Sequence, residues 1–308
     1  MVVLRQIRPP EGALVQCYGG GVNTAACLVL MARLGLTPRA IVMADPGSER
    51  SGTKHWRDVI LPPWLASRGF PQVEVVSRLT EGPFNSRVRA ELETLRDECS
   101  RSGTIPSVAY GKKKCSAKHK GDPQRWWAAR QPWTNEEWRA GRKLVKVVGY
   151  DLDEQRRADK AAIAIAPPPA GAINPLTGKP PRDYGKWERE RFTFWYPLIE
   201  AKLGREECEE LIESEGLPLP PKSACTFCPN NTLEEWRELR ETEPEAFADA
   251  VTMSRRAEAT ITNPVDVGLM RCNPAGKRQL HVWADGGYPD ARARQLDLDM
   301  PCESECGT

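Results

Sequence analysis

Three adjacent glycines, Gly19, Gly20 and Gly21, follow the apolar run 13–17 and lead through Val22 into the small polar pair Asn23 and Thr24. Glycine lets backbone N–H groups turn inward and approach a ligand closely. A helix starting just beyond adds unpaired amides and partial positive charge, which is the chemistry of a phosphate cradle. A tight strand-to-helix turn without a ligand is the plain structural alternative. The run is neither a GxGxxG fingerprint nor a Walker A loop, because its glycines are contiguous and no Gly-Lys-Ser/Thr follows.

Two carboxylate groups stand in comparable places. Asp45-Pro46-Gly47-Ser48-Glu49 follows an Ile- and Val-rich run, where a carboxylate can accept from a ribose hydroxyl or an adenine amine. The alternative there is a helix cap with an acidic first turn. Asp153 and Glu154 follow the strand expected over 143–149. Such a pair can hold Mg²⁺ bound to phosphates, with Arg157 stabilising phosphoryl charge. An acidic helical turn with i,i+4 pairing is the competing reading. Between them lies a basic run, Lys112 to Lys120, around Cys115. Cations beside a thiol favour thiolate and attract phosphate or nucleic acid; a solvated basic loop is the alternative.

The chain has ten cysteines. Without a signal-peptide core or an apolar run long enough for a membrane span, the protein is expected in the cytoplasm, away from membranes. There, cysteines serve metal binding, an iron–sulfur cluster or thiol chemistry rather than disulfides. Cys225-x-x-Cys228 is half a metal site at chelating spacing. Further sulfurs are Cys115 and the tail pair Cys302 and Cys306, which is otherwise an ordinary chain end. Cys17 and Cys27 fall in core elements and read as packed hydrophobes.

The elements that must position these groups alternate. Strands are expected over 13–17, 39–44, 72–77 and 143–149, and helices over 22–34, 54–67 with a break at Pro62-Pro63, and 86–99. This alternation predicts an α/β fold, a doubly wound parallel sheet, with ligands at the carboxyl ends of its strands. Residues 1–165 are expected to form the nucleotide-binding domain and 166–185, rich in Pro and Gly, a linker or insertion. Residues 186–308 are expected to form a smaller, mainly helical region, with helices over 205–215, 233–241 and 244–257. At 308 residues, 40% hydrophobic and 28% charged, the chain is globular, and its net charge of +2 argues against a strongly electrostatic DNA- or membrane-binding mode.

In this order the motifs resemble the phosphoadenosine-phosphosulfate reductase-like branch of the adenine-nucleotide alpha-hydrolase (PP-loop) superfamily, in its phage and bacterial form. The superfamily loop is Ser-Gly-Gly-x-Asp-Ser; here Tyr18 stands at the first Ser, Asn23 at the Asp and Thr24 at the last Ser. Asn23 keeps hydrogen-bonding capacity and loses the charge, which favours nucleotide binding over hydrolysis. Asp45 to Glu49 resembles the Asp-Thr-Gly-x-Glu loop, implied to lie near the adenosine. Cys115 to Lys120 resembles Arg-x-Cys-Thr-x-x-x-Lys, although Gly121 and Pro123 follow where relatives continue into a helix. Gly149 to Arg157 resembles Gly-Ile-x-x-Asp-Glu-x-x-Arg. Residues 196–200, 220–229, 235–236 and 302–307 continue the resemblance, which spans most of 13–308.

The resemblance implies an enzyme binding ATP or a related adenine nucleotide, doing adenylation or sulfur transfer with a cysteine-bound [4Fe-4S] cluster. The acceptor is left open between a small molecule and a nucleic acid, and a homodimer is allowed. Lys120, Arg157 and Cys306 are the implied catalytic residues. A sulfonucleotide reductase is the alternative, with Cys306 of Glu305-Cys306-Gly307 as nucleophile but without the usual following His. A non-catalytic, zinc-stapled nucleotide- or nucleic-acid-binding protein is the third reading.

Overall fold

A computed structural model describes residues 7–81, 92–110, 114–261, 267–271 and 277–286. Five parallel strands, β1 (Leu14–Cys17), β2 (Ala40–Ala44), β3 (Val73–Val76), β4 (Leu144–Val148) and β5 (Phe192–Trp195), form one sheet in the order β3-β2-β1-β4-β5. Every residue of β1, β2 and β4 is buried, as strands covered on both faces must be. Side chains alternate between two cores. Ile41, Met43, Val145 and Val147 pack with α1 (Val22–Arg33) and with Ile212. Val42 and Leu144 pack on the opposite face with Trp127 and Phe192. The fold is the expected doubly wound α/β sheet. Its strand order reverses between β1 and β4, and ligands of such sheets settle in the crevice that this reversal opens.

A third cluster is helical. Leu95, Cys99 and Ile105 pack in it with Phe227, Trp236, Phe247 and Trp283. It joins the sheet at the strand ends, where Glu49 and Cys225 form an antiparallel bridge and Thr226 N donates to Ser48 O at 2.9 Å. Two parts of the chain cross the boundaries expected from composition. β5 and the helix Arg205–Glu213 lie with the sheet, and residues 95–105 pack with the C-terminal helices. Residues 166–185 contain neither helix nor strand. The ends of this segment meet through Arg189, which bonds the Ile165 carbonyl and pairs with Asp183.

The prolines act differently from the sequence expectation. The helix over 51–67 runs through Pro62-Pro63, because residues Trp56–Ile60 form a π-helical turn in which Leu61 N donates to Trp56 O. The wider i→i+5 register absorbs the donor that proline lacks. The same device recurs after the basic run. Ala117–Gly121 is a π-helical turn, Asp122 N donates to Ala117 O, and the helix continues over Asp122–Arg130 with Pro123 in its first turn. Gly121 and Pro123 therefore do not stop the helix. Of the helix expected over 86–99, residues 86–91 lie outside the described residues; the observed helix is Leu95–Ser102, capped by Thr94 accepting from Asp97 N. Among the described residues no helix is long and apolar enough to cross a membrane.

Candidate nucleotide site

A cleft of about 490 Å³ opens where β1 and β4 end side by side. The glycine loop forms one wall. Gly21 is the extended N-cap of α1, no side chain caps that helix, and its first turn carries no acid. The first-turn amides are thus available to an anion. Thr24 knits the loop together: its Oγ accepts from Gly19 N at 3.3 Å and donates to Gly21 O at 3.0 Å. Gly20 has φ +81°, and a Cβ there would stand 2.7 Å from Thr53. The opposite wall approaches just as closely. A Cβ on Gly149 would lie 2.9 Å from Thr24 N and 3.0 Å from Asn23 C, so only glycine lets the β4 loop pass against the start of α1.

Beyond Gly149 the chain turns into a carboxylate cluster. Asp151 caps the short turn Leu152–Glu154 by accepting from Glu154 N at 3.1 Å. The Asn23 side-chain amide then donates to Asp151 Oδ2 and to Glu154 Oε2, each at 2.9 Å. Burial and the neighbouring Glu154 charge together raise the Asp151 carboxyl above its ordinary range. Arg157 pairs with Glu154 and lies 4.4 Å over the Tyr150 ring, which stacks on Tyr196. Asp153 is exposed on the cleft wall, where its carboxylate could hold a divalent cation.

Lys120 reaches the cleft from the π-helical turn, its Nζ 3.1 Å from the fully buried Glu49 carboxylate. Two further members of the basic run are paired as well. Lys118 Nζ and His119 Nε2 lie 2.5 and 2.6 Å from the two oxygens of Glu98. The segment before the Cys225 motif closes the third side. Pro221, Lys222 and Ser223 line the cleft, and Ser223 Oγ donates to Glu49 Oε2 at 3.3 Å.

Of the expected residues, Gly19, Gly21, Asn23, Thr24, Lys120, Asp153, Glu154 and Arg157 line this one cleft, and Gly20 and Glu49 support it. Asp45 does not line it. Its Oδ1 accepts from Gly47 N, and it lines a separate cavity of about 200 Å³ with Ser77, Arg78 and His119. Sequence reasoning missed Asp151, Arg205, Lys222 and Ser223 as lining residues. A signal existed for Asp151: Asp-x-x-Glu after an apolar strand is a capping pattern.

The cysteines divide into two kinds. Cys27, Cys99 and Cys208 are buried, and burial pushes their thiols up, to about 12 for Cys99 and Cys208. These are packed hydrophobes. Cys115, Cys225 and Cys228 are partly exposed; Cys115 and Cys225 pack against the helical cluster, and Cys228 N donates to Cys225 O at 3.0 Å in a tight turn. Among the described residues no group of three or more Cys, His, Asp or Glu is arranged to hold a metal ion. The turn at 225–228 supplies two thiols, half of what a tetrahedral zinc or a [4Fe-4S] cluster takes. Cys302 and Cys306 lie outside the described residues.

No family model and no curated protein matches the sequence. Among solved structures, the chain is similar to the U34-tRNA thiolase NcsA from Methanococcus maripaludis with its [4Fe-4S] cluster. The two share 14% identity and a TM-score of 0.37 over 87% of this chain and 76% of that one.

Proposed function

We propose that the chain is an enzyme that binds ATP, or a related adenine nucleotide, across its glycine loop and adenylates an acceptor oxygen ahead of sulfur transfer. One observation carries the reading. An uncapped α1 N-terminus, a glycine loop, paired cations and an exposed carboxylate all meet in one cleft, where the strand order reverses. The acceptor oxygen attacks the α-phosphorus, the bond to pyrophosphate breaks, and the oxygen is left as an adenylate ester. A hydrosulfide donor then attacks the activated carbon, the C–S bond forms as the C–O bond to AMP breaks, and AMP leaves with the electron pair. Lys120 and Arg157 would stabilise charge on the phosphoryl oxygens, and Asp153 would hold a phosphate-bound Mg²⁺ that supplies further charge neutralisation. Asn23 orients Asp151 and Glu154 and carries no charge itself. A cysteine-bound cluster supplies sulfur or electrons when present; the turn at 225–228 gives it two thiols, with Cys115, Cys302 and Cys306 as further candidate ligands.

The test is ATP binding by calorimetry together with pyrophosphate release in the presence of Mg²⁺ and candidate acceptors. Binding that is lost on Gly21→Val, and release that is lost on Lys120→Ala, is expected. ATP binding unaffected by Gly21→Val overturns the reading. Iron and zinc analysis of anaerobically purified protein, with Cys225→Ser as control, decides which metal the thiols take.

A further inference from the structure

Among the described residues four cations line the cleft, and a carboxylate holds each one: Lys120 on Glu49, Arg157 on Glu154, Arg205 on Glu209 and Lys222 on Glu235. They are of two kinds. The Lys120 and Arg157 side chains are 13% and 14% exposed and pair with nearly sealed carboxylates, so they are held in fixed positions facing the cleft. Arg205 and Lys222 are half exposed. Arg205 makes an i,i+4 pair along its own helix, a weak surface contact. Lys222 is differently placed. Its neighbour Ser223 lies directly over the glycine loop, with Oγ 3.4 Å from where a Gly20 Cβ would stand and Cβ 3.9 Å from the equivalent point on Gly21.

The backbone that carries Lys222 is held on both sides. Pro221 would lie 3.2 Å from a Cβ on Gly52, and Arg50 N donates to Ala224 O at 3.3 Å. What remains mobile is the Lys222 side chain, a compact charge on a four-carbon stem. Its Nζ lies 2.7 Å from Glu235 Oε1 and 3.0 Å from Oε2. Glu235 has a second task. Its Oε2 accepts from Thr232 N at 2.8 Å while Thr232 Oγ accepts from Glu235 N, the capping box of the helix Leu233–Thr242. Lysine binding and helix capping thus share one carboxylate, and only the first requires its charge.

Building on the nucleotide reading above, we propose that Lys222 is a polyphosphate ligand that exchanges between Glu235 and the phosphate oxygens of a bound nucleotide. Glu235 and the phosphates compete for one ammonium group. Removing Lys222 therefore weakens binding, whereas removing the charge of Glu235 strengthens it. Misfolding does not produce a gain of that kind.

The experiment is calorimetry of the full chain with ATP and, separately, with inorganic pyrophosphate, alongside thermal melts. Lys222→Ala is expected to weaken both ligands about tenfold, equivalent to about 1.4 kcal/mol. Glu235→Gln keeps the cap and is expected to tighten both by about threefold with the melting temperature unchanged. The double variant is expected to bind like Lys222→Ala. Wild-type-like binding by Lys222→Ala overturns the proposal and leaves the nucleotide reading standing. So does a Glu235→Gln gain that persists without Lys222, or a Glu235→Gln protein that melts lower and gains nothing. Wild-type protein that binds neither ligand overturns both.

Discussion

The Asn23 side-chain amide donates to Glu154 Oε2 at 2.9 Å, tying the glycine loop after β1 to the acidic turn after β4. The same amide nitrogen donates to Asp151 Oδ2 at the same distance. Its two hydrogens thus serve two carboxylates, and an acid at position 23 has none to give at neutral pH. The uncharged amide at position 23 thus matches the carboxylates that face it.

Asn23→Asp accordingly brings a third carboxylate against Asp151 and Glu154 and removes both donors. A loss of about 1–3 kcal/mol in metal-free buffer is expected, with recovery on adding Mg²⁺. The pH dependence has a definite sign. The folded Asp151 carboxyl is raised, so its contribution is full below the ordinary range and is lost as pH rises through the folded value. Crowding by the introduced carboxylate pushes further in that direction, so the variant's deficit should be larger at neutral than at mildly acidic pH. Thermal melts at both pH values, with and without Mg²⁺, check this; a deficit independent of pH and metal counts against it.

The two glycines that frame the loop should separate folding from binding. Ala at 149 meets backbone at 2.9 and 3.0 Å, and neither Thr24 N nor Asn23 C can yield without moving α1. About 1–3 kcal/mol of stability should be lost, together with nucleotide affinity. Gly21 has an ordinary extended backbone, and the nearest atom to a Cβ there is 3.9 Å away. Gly21→Ala should melt like the wild type and still weaken ATP, because its methyl group intrudes on the cradle. Equal melting temperatures for the two variants would contradict this assignment of roles.

Much of this architecture is legible in the sequence. The Gly19–Thr24 run sits on a strand end because a short, mostly apolar strand precedes it and an apolar helix follows, and those signals are local. Asp153, Glu154 and Arg157 reach the cleft because they follow the end of a buried strand, β4. What escapes is set by long-range contact. Asp45 looks equivalent to Asp153 as a strand-end acid, yet it turns back on Gly47 N and faces another cavity. Lys222 and Ser223 carry no local signature; they enter the cleft because residues 224–226 pair with the loop after β2. Pro62 and Pro123 mark helix breaks in sequence, and the π-helical turns that absorb them have no reliable local code.

The basic run supplies a pH prediction. Burial is the chief reason that the His119 ring lies below its ordinary value of 6.5, although Glu98 pulls the other way. Burial would raise Glu98, but its hydrogen bonds from Lys118 and His119 outweigh that and hold it below 4.5. Both groups have depressed folded values, so each contributes stability above its ordinary value and loses it as pH falls through the folded one. His119 acts first on acidification and Glu98 below it. Wild-type protein should therefore lose melting temperature as the pH falls below the ordinary imidazole value of 6.5, and His119→Gln, which can still donate to Glu98, should flatten that limb. Identical slopes in the two proteins would refute the assignment to His119.

The opposite face of β4 holds a buried charge whose role is structural. The Lys146 side chain, 6% exposed, lies 3.0 Å from Glu188 Oε2, and Arg125 Nε lies 2.7 Å from Glu188 Oε1. Burial alone would raise Glu188; the Lys146 and Arg125 charges outweigh it and hold the carboxyl below its ordinary range. Glu188→Gln leaves a buried ammonium without its counter-charge and should cost about 3–5 kcal/mol, whereas replacing the pair with apolar residues of similar size is often neutral or stabilising. Lys146→Met combined with Glu188→Leu should thus recover most of the loss. Chemical denaturation of the two variants measures the difference. Because Lys146 points to the core that α1 does not occupy, ATP affinity of the double variant should stay within about twofold of wild type. A double variant as unstable as Glu188→Gln would mean that the cation holds this face of the sheet through its 4.2 Å contact with the Phe192 ring, and not through the carboxylate.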